Sequence, residues 1–189
     1  IIFSFFVITF ILSWMIPVFG FFIKLGSKGP IFFIQKREGY KGNYFGCLKF
    51  RTMVVNSSSD TIWADDDDIR LTRFGKFLRL SALDEMPQFL NVFLGDMSVV
   101  GPRPHPINLN KEYNSLIEGF NKRHRFKPGI TGLAQSMGYS GFISSFDDMR
   151  YRVKIDIFYF KNWNFLLDFK IVFLTFIVLI KGLVFKFKN

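Results

Sequence analysis

The run Ile1 to Ile23 carries no charge, and the basic residues Lys24, Lys28, Lys36 and Arg37 follow it. As a helix rising about 1.5 Å per residue, such a run matches a bilayer core of about 30 Å. Pro17 lies inside it. A proline there removes a backbone hydrogen bond and clashes one turn back, so the helix bends or breaks. Ser13 and Gly20 flank the site and can relieve the break. Two arrangements satisfy this pattern: a kinked span, or a segment that turns at Pro17 and returns to the side it entered. A secretory signal fits poorly, because no basic residue precedes the run and no small-x-small site ends it.

Beyond Gly26 the pattern changes. "IFFIQKR" and "YFGCLKFRT" read as strands joined by the turn "GYKGN". Asn56 to Asp68 is polar and reads as a mobile surface loop. From Arg70 to Phe93 apolar residues return at helical spacing: Leu71, Phe74, Phe77 and Leu78, then Phe89, Leu90 and Phe93. Ser81 is placed to cap a second helix there, with Asp84 and Glu85 in its first turn and Pro87 near its start. "GDMSVVGPRPHP" reads as a loop, Asn110 to His124 as a helix, "KPGITG" as a turn and Phe146 to Phe160 as a helix. Phe165 to Asn189 is apolar but carries Asp168, Lys170, Lys181, Lys186 and Lys188. Its longest uncharged run is too short to span a bilayer. The segment therefore predicts a helix lying on a membrane surface with snorkelling lysines, or a C-terminal core helix.

Charge and composition narrow the class. The 189 residues include 25 Lys and Arg against 15 Asp and Glu, a formal charge of +10, and 27 Phe. With a mean hydropathy of +0.22, this is no disordered basic tail. Nor is it a purely soluble nucleic-acid binder, which needs no such load of Phe, and no nucleic-acid partner is expected. A basic, apolar chain suits an anionic membrane surface or a phosphorylated substrate. The single cysteine, Cys47, excludes an intrachain disulfide and a cysteine-rich zinc site. Two histidines, His105 and His124, have no spacing for a metal or a triad.

Asp84 and Glu85 form the adjacent acidic pair that stands out. One carboxylate can serve as a nucleophile while its neighbour holds a divalent cation. Mg²⁺ needs only one or two protein carboxylates when substrate phosphates supply the rest. Set against this, acids at a helix start are favoured by the macrodipole alone. Basic residues recur in short apolar or Gly/Pro frames: Lys49 and Arg51 in "KFRTM", Arg79 before "LSALDEMPQ", Arg103 in "GPRP" and Arg125 before "KPGITG". A guanidinium is a planar fork for phosphate oxygens, although any one of these residues could be surface charge. Four consecutive aspartates, Asp65 to Asp68, cannot converge on one ion and read as solvated loop. No P-loop or Rossmann glycine pattern is present.

In order, "GPIFFIQKREGYKGNYFGCLKFRTM", "LTRFGKFLRLSALDEMPQFLNVFLGDMSVVGPRP" and "KPGITGLAQ" resemble the bacterial sugar transferase family, the monotopic phosphoglycosyl transferases. Larger members carry extra N-terminal membrane helices. The chain begins at Ile1 without Met, and is expected to be the catalytic portion of such a member or a small stand-alone one. The resemblance implies transfer of sugar-1-phosphate from a UDP-sugar to polyprenol phosphate, with release of UMP. It implies Asp84 as nucleophile, Glu85 as ligand of Mg²⁺, and Arg103 on the nucleotide phosphate. Lys49, Arg51, Arg79 and Arg125 would line the phosphate region. Gln88, Asn91, Asp96 and Asp156 would support them. It also implies a re-entrant helix broken at Pro17, although Ile16 stands where many members have Ser, and a place on the cytoplasmic face of the bacterial plasma membrane.

The expected architecture is mixed α/β, mostly helical with a short hairpin. Residues 1–25 form the re-entrant or spanning helix, 26–164 the catalytic domain and 165–189 an interfacial segment. Membrane lipids are expected partners and a homodimer a possible assembly. A non-catalytic membrane-surface scaffold and a conventional glycosyltransferase releasing UDP are the competing readings. Sugar choice is expected to lie in loops such as Tyr139 to Ser145.

Overall fold

The structure, a computed structural model, describes residues 1–55, 68–139 and 145–188, with side chains as far as residue 182. The expected mobile loop lies outside the described residues except for Asp68, and so do residues 140–144, the core of the expected sugar-choice loop. Most of the chain is helical, with one antiparallel hairpin and one short parallel pair.

The N-terminal helix runs from Ile2 to Gly26. It comprises α1 (Ile2–Val7), a π-helical turn (Ile8–Leu12) and α2 (Ser13–Gly26). Pro17 sits inside α2, and the irregular turn lies one to two turns before it. The Ser13 hydroxyl donates to the Thr9 carbonyl at 2.6 Å, a back-bond of the kind that bends helices. The helix is long and apolar enough to cross a bilayer. One stripe of it, however, is buried from end to end: Ser4, Val7, Leu12, Met15, Gly20 and Ile23. Leu12, Met15 and Ile23 share a core with Phe50 and Leu78. Burying side chains of this size contributes roughly 1.5–3 kcal/mol each. Both ends are also tied down. The Ser4 hydroxyl donates to the Phe89 carbonyl at 2.5 Å, and Arg51 takes the carbonyls at the C-terminal end. The opposite face, with Phe3, Phe6, Phe10, Trp14 and Phe21, is exposed and apolar.

The hairpin pairs β1 (Phe32–Glu38) with β2 (Tyr44–Phe50) as the sequence pattern expects, with Phe33 opposite Lys49 and Gln35 opposite Cys47. Strand alternation puts Lys49, Cys47, Gln35 and Arg37 on one face. The helical stretch after residue 70 is divided differently from the sequence expectation. Helix α3 (Arg73–Leu80) is capped by Thr72, whose hydroxyl accepts from the Gly75 amide at 2.9 Å. Ser81 ends this helix instead of opening the next, and its hydroxyl donates back to the Phe77 carbonyl at 2.8 Å. Ala82 then turns the chain in the left-handed region, at φ 55°. Asp84 and Glu85 lie in the 3₁₀ turn Leu83–Glu85, and α4 (Gln88–Leu94) starts only after Pro87. The acidic pair is therefore not the first turn of an α-helix. A side chain other than Gly in the left-handed region costs about 1–2 kcal/mol, a local strain of the kind found at functional sites.

Strand β3 (Ser98–Val100) pairs in parallel with β4 (Gly129–Thr131). A three-residue strand has too little period to be read from sequence. The pairing brings "GPRP" against "PGITG" so closely that no side chain fits between them. A Cβ on Gly129 would sit 2.1 Å from the Gly101 nitrogen, and one on Gly132 would sit 2.3 Å from the Gly101 oxygen. Between the two strands, α5 (Ile107–Leu116) and the 3₁₀ turn Phe120–Arg125 replace the single helix expected to His124, with Gly119 at φ 76° dividing them. A short helix α6 (Leu133–Ser136) leads to α7 (Phe146–Asn162), and α8 (Phe165–Lys188) closes the fold. Asp168 joins α7 to α8 by accepting from the Tyr159 hydroxyl at 2.8 Å and the Trp163 indole at 3.2 Å. Helix α8 buries Ile171 while Phe169, Phe173 and Phe176 remain exposed.

Candidate active site

The strained turn at Ala82 lays Asp84 and Glu85 against the functional face of the hairpin. Lys49, projecting from β2, bonds Glu85 Oε1 through its Nζ at 2.6 Å and lies 3.8 Å from Asp84 Oδ2. Arg103, from the loop after β3, grips Glu85 with two hydrogen bonds: Nη2 to Oε1 at 2.6 Å and Nη1 to Oε2 at 3.1 Å. This bidentate fork is the strong form of the guanidinium–carboxylate pair.

The adjacent carboxyls are driven in opposite directions. Burial pushes the Asp84 carboxyl above its ordinary value, and the neighbouring Glu85 adds to the rise while Lys49 opposes it. Burial also acts against the charged form of Glu85, but Arg103 and then Lys49 overcome it and hold that carboxyl well below the usual range. Glu85 is thus the fixed anion of the pair. Asp84, whose one ion-pair contact among the described residues is the long one to Lys49, is the less committed carboxylate.

The loop carrying Arg103 is itself held by two buried arginines. Arg37 donates through Nη1 to the Pro104 carbonyl at 2.6 Å. Arg123 donates through Nη2 to the Arg103 carbonyl at 2.8 Å and pairs with Asp156 at 2.9 Å. Burial pushes Asp156 up to about 6. Neither Arg37 nor Arg123 stands in a frame that distinguishes it in the sequence. Strand parity with Lys49 is the one signal that could have marked Arg37.

The other expected residues divide. Arg79 is near enough for its charge to oppose the rise at Asp84, and its Nε donates to the Thr52 hydroxyl at 3.1 Å. Asn91 fastens α4 to β2, accepting from the Leu48 amide at 3.0 Å and donating to the Gly46 carbonyl at 2.8 Å. It also donates to Asp96 at 3.3 Å. Gln88 is buried at the start of α4. Arg51 does not join the acidic pair. Its guanidinium donates to the carbonyls of Lys28 at 2.9 Å and Ser27 at 2.7 Å, capping the N-terminal helix where carbonyls lack helical partners. Arg125 stands apart as well: it is exposed, two residues beyond the buried Arg123 in the same 3₁₀ turn, and lines a cleft with Glu38, Tyr40, Lys41, Asn121 and His124.

No group of three or more His, Cys, Asp and Glu side chains converges among the described residues. The site therefore fits a divalent ion in one manner only. Two adjacent carboxylates supply hard oxygen donors, and an anionic substrate supplies the remainder. Both Glu85 oxygens are occupied by cationic side chains, groups that an incoming phosphate can draw away.

Known proteins resemble this chain over most of its length. The family model for bacterial sugar transferases matches residues 1–182. The chain is 47% identical over 169 residues to a UDP-glucose:undecaprenyl-phosphate glucose-1-phosphate transferase of Klebsiella pneumoniae, covering 89% of this chain and 36% of that protein. It is 40% identical over 161 residues to a UDP-N-acetylgalactosamine-undecaprenyl-phosphate N-acetylgalactosaminephosphotransferase of Aeromonas hydrophila, covering 85% of this chain and 38% of that one. It is 39% identical over 158 residues to exopolysaccharide production protein PSS of Rhizobium leguminosarum, covering 81% of this chain and 79% of its relative. The chain spans about a third of the length of the first two.

Proposed function

This chain belongs to the bacterial sugar transferase family, and from that membership we propose that it transfers sugar-1-phosphate from a UDP-sugar to undecaprenyl phosphate, releasing UMP. The observation that carries the reading is the division of the adjacent acids Asp84 and Glu85 into a less committed carboxylate and a fixed anion, beside Lys49 and Arg103. An Asp84 oxygen attacks the sugar-bearing phosphorus. The bond from that phosphorus to the oxygen bridging to UMP breaks, and UMP leaves with the electron pair. A phosphoryl oxygen of the lipid then attacks the same phosphorus, forming the diphosphate linkage and returning the Asp84 carboxylate. Lys49 and Arg103 lower the charge barrier between an anionic nucleophile and an anionic diphosphate. Glu85 holds both cations beside Asp84 until the substrate phosphates draw them off, and its carboxylate would then hold Mg²⁺ with those phosphates. That ion would supply neutralisation of the diphosphate charge.

Only ionised Asp84 can attack, so the acid limb of kcat/KM should lie above the range of an ordinary carboxylate near 4. Activity should fall as pH drops through that limb. A limb at or below pH 4, read from a pH–rate profile on UMP release, would contradict the assignment. Glu85→Gln should weaken activity and raise the Mg²⁺ concentration needed for half-maximal rate. An unchanged Mg²⁺ titration would remove Glu85 from that role.

The chain is read as monotopic. A helix bound to the body along its length, with an apolar outer face, suits a re-entrant segment seated in one leaflet better than a free span. The exposed apolar stripe of α8 would rest on the same leaflet, and Lys24 and Lys28 favour the cytoplasmic side. Residues 1–25, 26–164 and 165–189 thus serve as membrane helix, catalytic domain and interfacial segment of one unit. Cys47 is fully buried, so single cysteines introduced by Ile1→Cys and Lys28→Cys can be labelled against little background. Both should react from the same side of sealed vesicles; reaction from opposite sides would make the helix a span.

A further inference from the structure

The two buried arginines that hold the Arg103 loop are not equivalent. Arg123 bonds the Arg103 carbonyl at 2.8 Å and is neutralised by Asp156 at 2.9 Å. Arg37 bonds the next carbonyl, that of Pro104, at 2.6 Å through Nη1. Its remaining guanidinium bonds, from Nε at 3.2 Å and Nη2 at 2.9 Å, converge on one neutral oxygen, Oε1 of Gln35. Among the described residues Arg37 makes no ion pair, and it is only 8% exposed. A guanidinium does not shed its proton in a protein. A full charge is therefore buried among neutral bonding partners, an arrangement that is costly.

Holding a carbonyl does not require that charge to stand unpaired, since Arg123 does the same work as half of an ion pair. Strand alternation puts Arg37 on the face of the hairpin that carries Lys49, and the charges of the acid pair reach it. Burial works against its charged form and Arg103 repels it, while Glu85 and Asp84 attract it. Cys47, opposite Gln35, offers no anion, because burial pushes its thiol up. Glu85 is already engaged by Lys49 and Arg103. Arg37, Lys49 and Arg103 thus outnumber the two carboxylates, and an anionic substrate restores the balance. We propose that Arg37 is a positioning residue for the donor: its bond to Pro104 fixes the Arg103 loop, and its unpaired charge draws the diphosphate of the UDP-sugar toward Arg103 and Lys49. The inference rests on the UDP-sugar reading above. It adds to that reading a further cation and, in Gln35, the neutral residue that orients the cation without pairing its charge.

The test uses the full chain in nanodiscs. UMP and UDP-glucose are the binding probes, and UMP release from a UDP-sugar that the chain turns over reads kcat and KM. Gln35→Glu keeps the shape and the acceptor oxygens of Gln35, so Arg37 can keep its bonds to that side chain and to Pro104, but it gives the cation a carboxylate partner. Its melting temperature should be unchanged or higher. Its Kd for both probes and its KM should rise at least about tenfold, while kcat stays within about threefold. Arg37→Met, unbranched and neutral, should show the same rise and also lose kcat at least about tenfold, because the Pro104 carbonyl loses its donor. Arg37→Lys keeps the charge without the planar fork, and its Kd should stay within about threefold of wild type. A purely structural role would lower melting temperature and active fraction in the Arg37 variants and leave Gln35→Glu with wild-type affinity. Wild-type affinity in a folded Gln35→Glu variant would therefore overturn the inference, and so would equal losses of affinity in Arg37→Lys and Arg37→Met. If Arg37→Met does not fold, Gln35→Glu and Arg37→Lys decide the question between them. Binding of donor without UMP formation would overturn the proposed reaction, while the affinity ratios would still judge Arg37. Failure of both probes to bind the wild type would overturn both.

Discussion

Asp84→Asn is expected to reduce UMP release by at least about 10⁴-fold, the scale on which removing a nucleophile acts. The amide has the shape of the carboxyl but no charge with which to attack phosphorus. Little else should change. Among the described residues Asp84 makes one ion-pair contact, 3.8 Å to Lys49, and Lys49, bonded to Glu85 at 2.6 Å, should keep that bond in the variant. Burial disfavours the Asp84 anion, so a neutral residue there should leave the melting temperature unchanged or higher. A folded variant with more than a tenth of wild-type turnover would remove Asp84 from the nucleophile's place. A variant that lost activity together with its fold would instead make Asp84 a structural residue.

Gly129→Ala is expected to lower stability by about 3 kcal/mol or more and to lower activity further in whatever fraction still folds. The added Cβ would meet backbone on two sides, 2.1 Å from the Gly101 nitrogen and 2.3 Å from the Thr131 oxygen. Backbone, unlike a flexible side-chain tip, cannot give way cheaply. Relief requires β3 and β4 to part, which breaks the Gly129 amide's bond to the Pro102 carbonyl at 2.9 Å and the Gly101 amide's bond to the Thr131 carbonyl at 2.8 Å. Arg103 follows directly after that pairing. Its hold on Glu85 should loosen even without global unfolding. Denaturant melts and turnover measured on the same preparation check both parts. A variant with wild-type stability would show that the two loops do not need this close approach.

The hairpin was legible because alternation and the "GYKGN" turn mark it, and the acidic pair because adjacent carboxylates near Pro87 stand out. The division of the helices was not. Ser81 has a capping residue's chemistry but serves the end of α3, and nothing in "SALDE" announces that Ala82 takes a left-handed turn. The parallel strands were hidden by their length, so the glycines of "GPRP" and "PGITG" read as turn residues when they are points of backbone contact. Among the basic residues, local frame could not separate a partner of the carboxylates from a helix cap. Lys49 and Arg103 reach Glu85, whereas Arg51, two residues from Lys49 and on the same strand parity, caps the N-terminal helix. Arg37 and Arg123 act through contacts distant in sequence, for which periodicity carries no signal.

The central claim is that the nucleotide leaves before the lipid is needed, because the phosphosugar rests on Asp84. Its most direct measurement is rapid-quench UMP release from a UDP-sugar that the chain turns over with Mg²⁺ and undecaprenyl phosphate, repeated with the lipid omitted. The expected result is a burst of about one UMP per active site in the absence of lipid, with the mass of a phosphosugar appearing on the peptide that contains Asp84. Release of UMP only when the lipid is present, with no added mass on that peptide, would contradict a covalent intermediate and require direct transfer.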